Sequence, residues 1–144
     1  MNVDWRVFAI GSAFFAALTA IFGKVGVQDI SSDLATFIRT VVILLVLGLL
    51  LAATGQFRGG GPITPRTWIF LVLSGLATGA SWLCYYRALK LGEAAKVAPI
   101  DKLSVVLVAL FGVAFLGERL ALRNWAGVAM VALGALLIAA RAPA

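Results

Sequence analysis

Trp82-Leu83-Cys84-Tyr85-Tyr86-Arg87-Ala88-Leu89-Lys90 closes one apolar stretch, and residues 91–96 form a short charged turn. Val97-Ala98-Pro99-Ile100-Asp101-Lys102 then opens the next apolar run, which continues to residue 117. Nowhere else do aromatic rings, both signs of charge and a proline converge where the flanking sequence belongs in hydrocarbon. If the chain has a site, half of it is expected here.

Working outward, composition sets the frame. Of 144 residues, 62% are hydrophobic and only 12% charged, and the mean hydropathy is +1.06. So few polar residues cannot cover a water-soluble globule of this size, so the chain reads as an integral membrane protein. The net charge of +6 lies in short clusters between apolar runs. That pattern flanks membrane spans and does not make a nucleic-acid-binding stripe, so no nucleic acid is expected as a partner. Cys84 is the one cysteine and histidine is absent, which rules out an intrachain disulfide and a zinc site of the usual ligands. No metal or other cofactor is expected.

Five apolar runs follow one another: residues 7–23, 34–54, 67–89, 97–117 and 122–140, each 17 to 23 residues long. About 20 residues cross a hydrocarbon core roughly 30 Å thick. The fold class predicted is therefore an all-α polytopic membrane protein with five transmembrane helices. The start of the first run lacks a basic leader and a small-residue cleavage site, so it reads as a retained span. Connections at residues 24–33, 55–66, 90–96 and 118–121 are short, leaving no room for a soluble domain. Residues 1–144 are thus expected to form a single transmembrane domain, with Gly59-Gly60-Gly61-Pro62 and Thr64-Pro65 making a flexible turn.

Trp5, Trp68 and Trp125 stand at the first residues of spans one, three and five, each with an arginine within two positions: Arg6, Arg66 and Arg123. With five alternating spans these pairs fall on one membrane face, as an interfacial belt should. Orientation is less decided. Arg6, Arg58, Arg66, Arg119 and Arg123 lie toward that face, and Lys24, Arg87, Lys90, Lys96 and Arg141 toward the other, with Arg39 and Lys102 inside spans near that second face. Five against five gives the positive-inside rule almost nothing to act on. Two causes fit: a weak bias settled by other details, or insertion in both orientations so that two copies pair antiparallel.

Charged residues within spans are the candidates for a site. Arg39, five residues into span two, either snorkels to the headgroups or faces a polar cavity. Lys24, Arg87 and Lys90 stand at span ends, where anchoring is the default. Pro99 fits the first turn of a helix, which would make Asp101 an acid near a positive helix end. Lys102 would then oppose the macrodipole and need an anionic partner: Asp101, Glu93 or a ligand. Tyr85 and Tyr86 point about 100° apart on a helix, so one should look inward and the other can join an aromatic belt. Gly75 and Gly79 form a small-residue pair suited to close helix approach, and span five carries Gly127, Gly134, Ala135 and Ala139. No charge interrupts span five between Trp125 and Arg141, which suits a helix used for assembly.

Several stretches taken together carry a resemblance. They are Ala17-Leu18-Thr19-Ala20-Ile21-Phe22-Gly23-Lys24, Leu34-Ala35-Thr36-Phe37-Ile38-Arg39-Thr40, residues 82–102, and Phe115-Leu116-Gly117-Glu118-Arg119 with Asn124-Trp125-Ala126-Gly127. In order and spacing they are similar to the EamA domain of the drug/metabolite transporter superfamily, from about residue 7 to 140. The resemblance implies one EamA-like five-helix repeat, in a family whose members mostly carry two inverted repeats and export or exchange metabolites across the inner membrane. It implies that the first four helices line a cavity and the fifth packs at the periphery or between halves. One repeat implies pairing, most simply as an antiparallel homodimer of dual topology. The related small multidrug-resistance exporters use an acid in the middle of their first helix; residues 7–23 hold none, so that cation/proton antiport is not expected.

The expectation is a secondary transporter, exporter or exchanger, multi-pass in the cell inner membrane. Its substrate-binding residues would be Lys24, Arg39, Tyr85, Tyr86, Arg87, Asp101 and Lys102. The excess of cations predicts a small anionic or zwitterionic metabolite, with Asp101 the acid placed to take up a proton. Partners are that small molecule, the lipid bilayer and a second copy of the chain. The alternative is a non-transporting accessory or assembly subunit. An enzyme is not expected, because no acid pair stands at a membrane face.

Overall fold

The computed structural model describes residues 4–58 and 61–140. Its elements are α1 (Trp5–Gly26), α2 (Ser32–Ala53), a 3-10 turn (Gln56–Arg58), α3 (Pro65–Leu91), α4 (Ala94–Asp101), α5 (Ser104–Leu116) and α6 (Leu122–Ala139). Among the described residues there is no strand. A bilayer core offers no water to unpaired amides, so a spanning segment must close its hydrogen bonds within itself, and the helix does that. Five segments are long and apolar enough to cross: α1, α2, α3, the stretch Ala94–Leu116 formed by α4 and α5, and α6. The first three run two to three residues beyond the apolar limits at one or both ends, because polar caps extend each helix past its hydrophobic part.

Those caps are local chemistry. The Asp4 carboxylate accepts from the Arg6 amide, the Ser31 hydroxyl from the Leu34 amide at 3.2 Å, and the Thr64 hydroxyl from the Thr67 amide at 3.2 Å. Thr64-Pro65 is therefore a helix start and not a flexible turn: Pro65 takes the first helical position, where its missing donor costs nothing. Gly59 and Gly60, and Arg141 from the charge comparison, lie outside the described residues. Inside the spans, Thr36, Thr40 and Thr78 each turn their hydroxyl back to the carbonyl four residues earlier at 2.8 Å. Each polar group is thereby satisfied without leaving its helix.

The chain divides into two compact units, one up to Lys90 and one from Leu91 onward. In the first, formed by α1, α2 and α3, Val27 just after α1 and Leu89 on α3 are fully buried. Close approach occurs at Gly23, where a Cβ would lie 3.0 Å from the Tyr86 hydroxyl and 3.5 Å from Leu89 Cδ1. Gly75 and Gly79, expected to be a packing pair, face open space within this unit. A glycine pair permits close approach, but a helix must arrive to use it.

In the second unit α6 packs against both α4 and α5, with Ala135 buried. Span four differs from expectation. Ala94-Ala95-Lys96 are good helix formers, so α4 starts at Ala94 and Pro99 is its sixth residue, inside the helix and not in its first turn. The ladder tightens just beyond: Leu103 donates to Ile100, Val105 to Lys102 and Val106 to Leu103, each at 3.0 Å. This is 3-10 bonding in mid-span, and it separates α4 from α5. Asp101 therefore ends a helix and Lys102 caps it, reversing the dipole argument: the cation is now favoured at the end of α4 and the acid is not. Gly117 ends α5 with φ 68°, a left-handed conformation that glycine adopts with little strain.

Candidate functional site

Helical periodicity places the candidate residues on shared faces of the first unit. On α1, Thr19, Phe22, Gly23 and Gly26 follow the i, i+3, i+4, i+7 spacing of one stripe; on α2, Ala35, Ile38 and Arg39 follow i, i+3, i+4. These seven residues, with Ile30 and Tyr86, line a groove of about 340 Å³. That is the small end of the usual range for ligand pockets, roughly 300–1,000 Å³.

Arg39 is the groove's charge. As the eighth residue of α2 it lies about 10 Å along the helix axis from Ser32. Its guanidinium carbon stands 3.8 Å from the centroid of the Trp82 ring and 5.4 Å from that of Tyr86. Trp82 and Tyr86 are four apart on α3 and so present one aromatic face. Stacking of this kind contributes about 0.5–2 kcal/mol, increasing as water is excluded. Among the described residues no carboxylate pairs with Arg39, so its charge is held by aromatic faces alone while its N–H edges remain available.

Lys24, Lys90 and Arg87 in this unit have protein partners. Lys24 Nζ donates to the Leu89 carbonyl at 2.7 Å. Lys90 Nζ donates to the Ile30 carbonyl. One Arg87 nitrogen, Nη2, reaches both Asp33 oxygens at 3.1 Å. The end of α1, the start of α2 and the end of α3 are thus tied together at one end of the unit, with Lys24 and Lys90 each in a last helical turn that favours a cation. Tyr86 is buried and Tyr85 is partly exposed, with their rings edge to face at 6.3 Å; the inward tyrosine is Tyr86.

In the second unit, Lys102 Nζ lies 3.6 Å from Asp101 at the break in span four. Lys96 pairs with Glu93 at 3.2 Å, so Lys102's partner is its neighbour and not Glu93. Lys24, Arg39, Tyr85, Tyr86 and Arg87 belong to the first unit, and Asp101 and Lys102 to the second.

The model of the EamA-like transporter family matches residues 5–140. The chain belongs to that family. It is 65% identical over 139 residues to an "Uncharacterized transporter in cobO 3'region" of Sinorhizobium sp, a match covering 96% of this chain and 99% of the relative. It is 27% identical over 132 residues to an "Uncharacterized transporter" of Vibrio cholerae, covering 90% of this chain but 41% of that relative. No solved structure matches. This EamA-like chain is accordingly a multi-pass membrane protein of a transporter family, and its medium is the lipid bilayer.

Sequence reasoning missed several residues that line the groove of the EamA-like chain or hold the side chains beside it. Thr19, Phe22 and Gly23 fell within a quoted motif, yet their shared helical face was the signal. Trp82 was visible as an aromatic, and its i, i+4 relation to Tyr86 pointed to a common wall. Asp33 gave no local sign: its partner is 54 positions away.

Proposed function

We propose that this EamA-like protein is a secondary transporter, exporter or exchanger, of a small anionic or zwitterionic metabolite in the inner membrane, and that it works as an antiparallel homodimer. The observation that carries the reading is Arg39: a guanidinium within the apolar run of α2, over the Trp82 ring, with no carboxylate partner among the described residues. A cation inside a span is costly and marks a functional position. The groove beside it is concave, mostly apolar and furnished with a single charge, as small-molecule sites are.

Pairing is supported by the even division of basic residues between the two faces. It also fits the Vibrio relative, in which a matched segment of this size makes up 41% of the length, since transporters of many kinds combine two halves related by inversion. In this reading Lys24 and Arg87 shape the end of the cavity through their protein partners. Asp101 and Lys102 supply an ion pair that can exchange a proton or a ligand at the broken fourth span.

The test is uptake into proteoliposomes from a panel of labelled amino acids and organic acids, with Arg39→Ala and Lys102→Ala. Loss of uptake in Arg39→Ala supports the site, and unchanged transport in both variants removes it. Single cysteines in the 55–66 loop, on a Cys84→Ser background, test pairing. Labelling from both sides supports dual insertion; labelling from one side with a monomeric protein favours the accessory-subunit alternative.

A further inference from the structure

We infer that the groove of the first unit selects a monocarboxylate with an apolar or aromatic body and rejects molecules that carry an ammonium group. This rests on the transport reading for the site's purpose, and it narrows that reading from any anionic or zwitterionic metabolite to one charge type.

The argument starts from the geometry of Arg39. With its carbon 3.8 Å from the centroid of the Trp82 ring, the guanidinium lies over the indole at a separation suited to stacking. A stacked guanidinium has one face covered and keeps its N–H groups, which lie in its plane, clear of the ring. Their fork matches the two oxygens of a planar carboxylate. No other protein group takes those donors: among the described residues Arg39 makes no hydrogen bond and no ion pair. The contrast with Arg87, whose Nη2 is taken up by both oxygens of Asp33, is direct.

The rest of the lining decides what else the ligand can carry. Phe22, Ile30, Ala35 and Ile38 offer hydrocarbon, while Thr19 and Tyr86 offer neutral hydroxyls. Among the described residues no acidic residue lines the groove, and Asp33 is engaged by Arg87. An ammonium group brought into this space would meet the like charge of Arg39 at low dielectric and find no carboxylate, which disfavours cations and zwitterions alike. The Trp82 face, which would attract an ammonium, is already occupied by the guanidinium.

Four probes with the same ring separate the charge types: phenylacetate, phenylacetamide, phenethylamine and phenylalanine. Binding is measured calorimetrically on the purified full chain in neutral detergent micelles, where no transport is needed. Phenylacetate is expected to bind at least about tenfold more tightly than each of the other three, reflecting a charge-assisted bidentate pair. Arg39→Gln should abolish the preference for phenylacetate over phenylacetamide, and Arg39→Lys should restore part of it.

Equal or tighter binding of phenethylamine or phenylalanine, or binding of none of the four, overturns the inference, and the wild-type panel decides this even if Arg39→Gln does not fold. An anionic lipid headgroup carries the same single charge. Phosphatidylglycerol that displaces phenylacetate at lower concentration would assign the groove to lipid and overturn it too. The two readings fail separately. Phenylacetate that binds but is not carried into proteoliposomes defeats transport alone, whereas carriage of phenethylamine without phenylacetate defeats the charge selection alone.

Discussion

Gly23 on α1 lies so close to the Tyr86 hydroxyl on α3 that a methyl group there would stand 3.0 Å from it and 3.2 Å from the ring carbon that bears it. Tyr86 is only 4% exposed, so its ring has little room to retreat. The aromatic wall under Arg39 is therefore held in place by the absence of a side chain on the facing helix.

Gly23→Ala should destabilise the protein by about 1–3 kcal/mol, the usual cost of overpacking, and weaken binding in the groove. Gly112→Ala is the control. A Cβ there would meet Glu118 Oε2 at 2.6 Å, but that atom ends a flexible, exposed side chain that can swing away. Thermal melts in detergent should show a clear loss for Gly23→Ala and little change for Gly112→Ala; equal losses would contradict the packing argument.

Arg87 and Asp33 are 64% and 57% exposed. An ion pair in such a setting contributes at most about 1 kcal/mol, so Asp33→Asn and Arg87→Gln should each lower stability only slightly. The swap Asp33→Arg with Arg87→Asp should recover most of what either single reversal loses, in both melting temperature and uptake. If Arg87 contacted substrate, the swap would restore the fold and leave uptake low.

Trp82→Leu removes the stacking surface but keeps the apolar volume near Arg39. The expected result is a higher KM for the transported anion with kcat much less affected, because the guanidinium loses its orientation before it loses its charge. Trp82→Phe should lie between the two. Equal uptake parameters for wild type and Trp82→Leu would show that the stack at 3.8 Å has no part in binding.

The spans were legible because a hydrocarbon core demands runs of about 20 apolar residues, and the chain supplies five. Their ends were less so, since caps such as Ser31 and Thr64 extend a helix beyond its apolar part. Pro99 was misplaced for a related reason. Hydropathy starts span four at Val97, but Ala94-Ala95-Lys96 have enough helix propensity to start it earlier.

At the site, residue types were readable and partners were not. Arg39 stood out as a charge inside a span, and Tyr86 was one of two tyrosines of which one had to face inward. That Arg39 lies over Trp82 while Arg87 meets Asp33 depends on which residues of α2 and α3 meet, which no local spacing encodes. The glycine pair Gly75 and Gly79 shows the converse: a motif of the right form with no helix against it in its unit.

The most direct test of the account is uptake of a labelled carboxylate into proteoliposomes by wild type, Arg39→Lys and Arg39→Gln, each shown to be folded and monodisperse. The account predicts accumulation by wild type, reduced accumulation by Arg39→Lys and background by Arg39→Gln. Uptake by Arg39→Gln at the wild-type rate would contradict it.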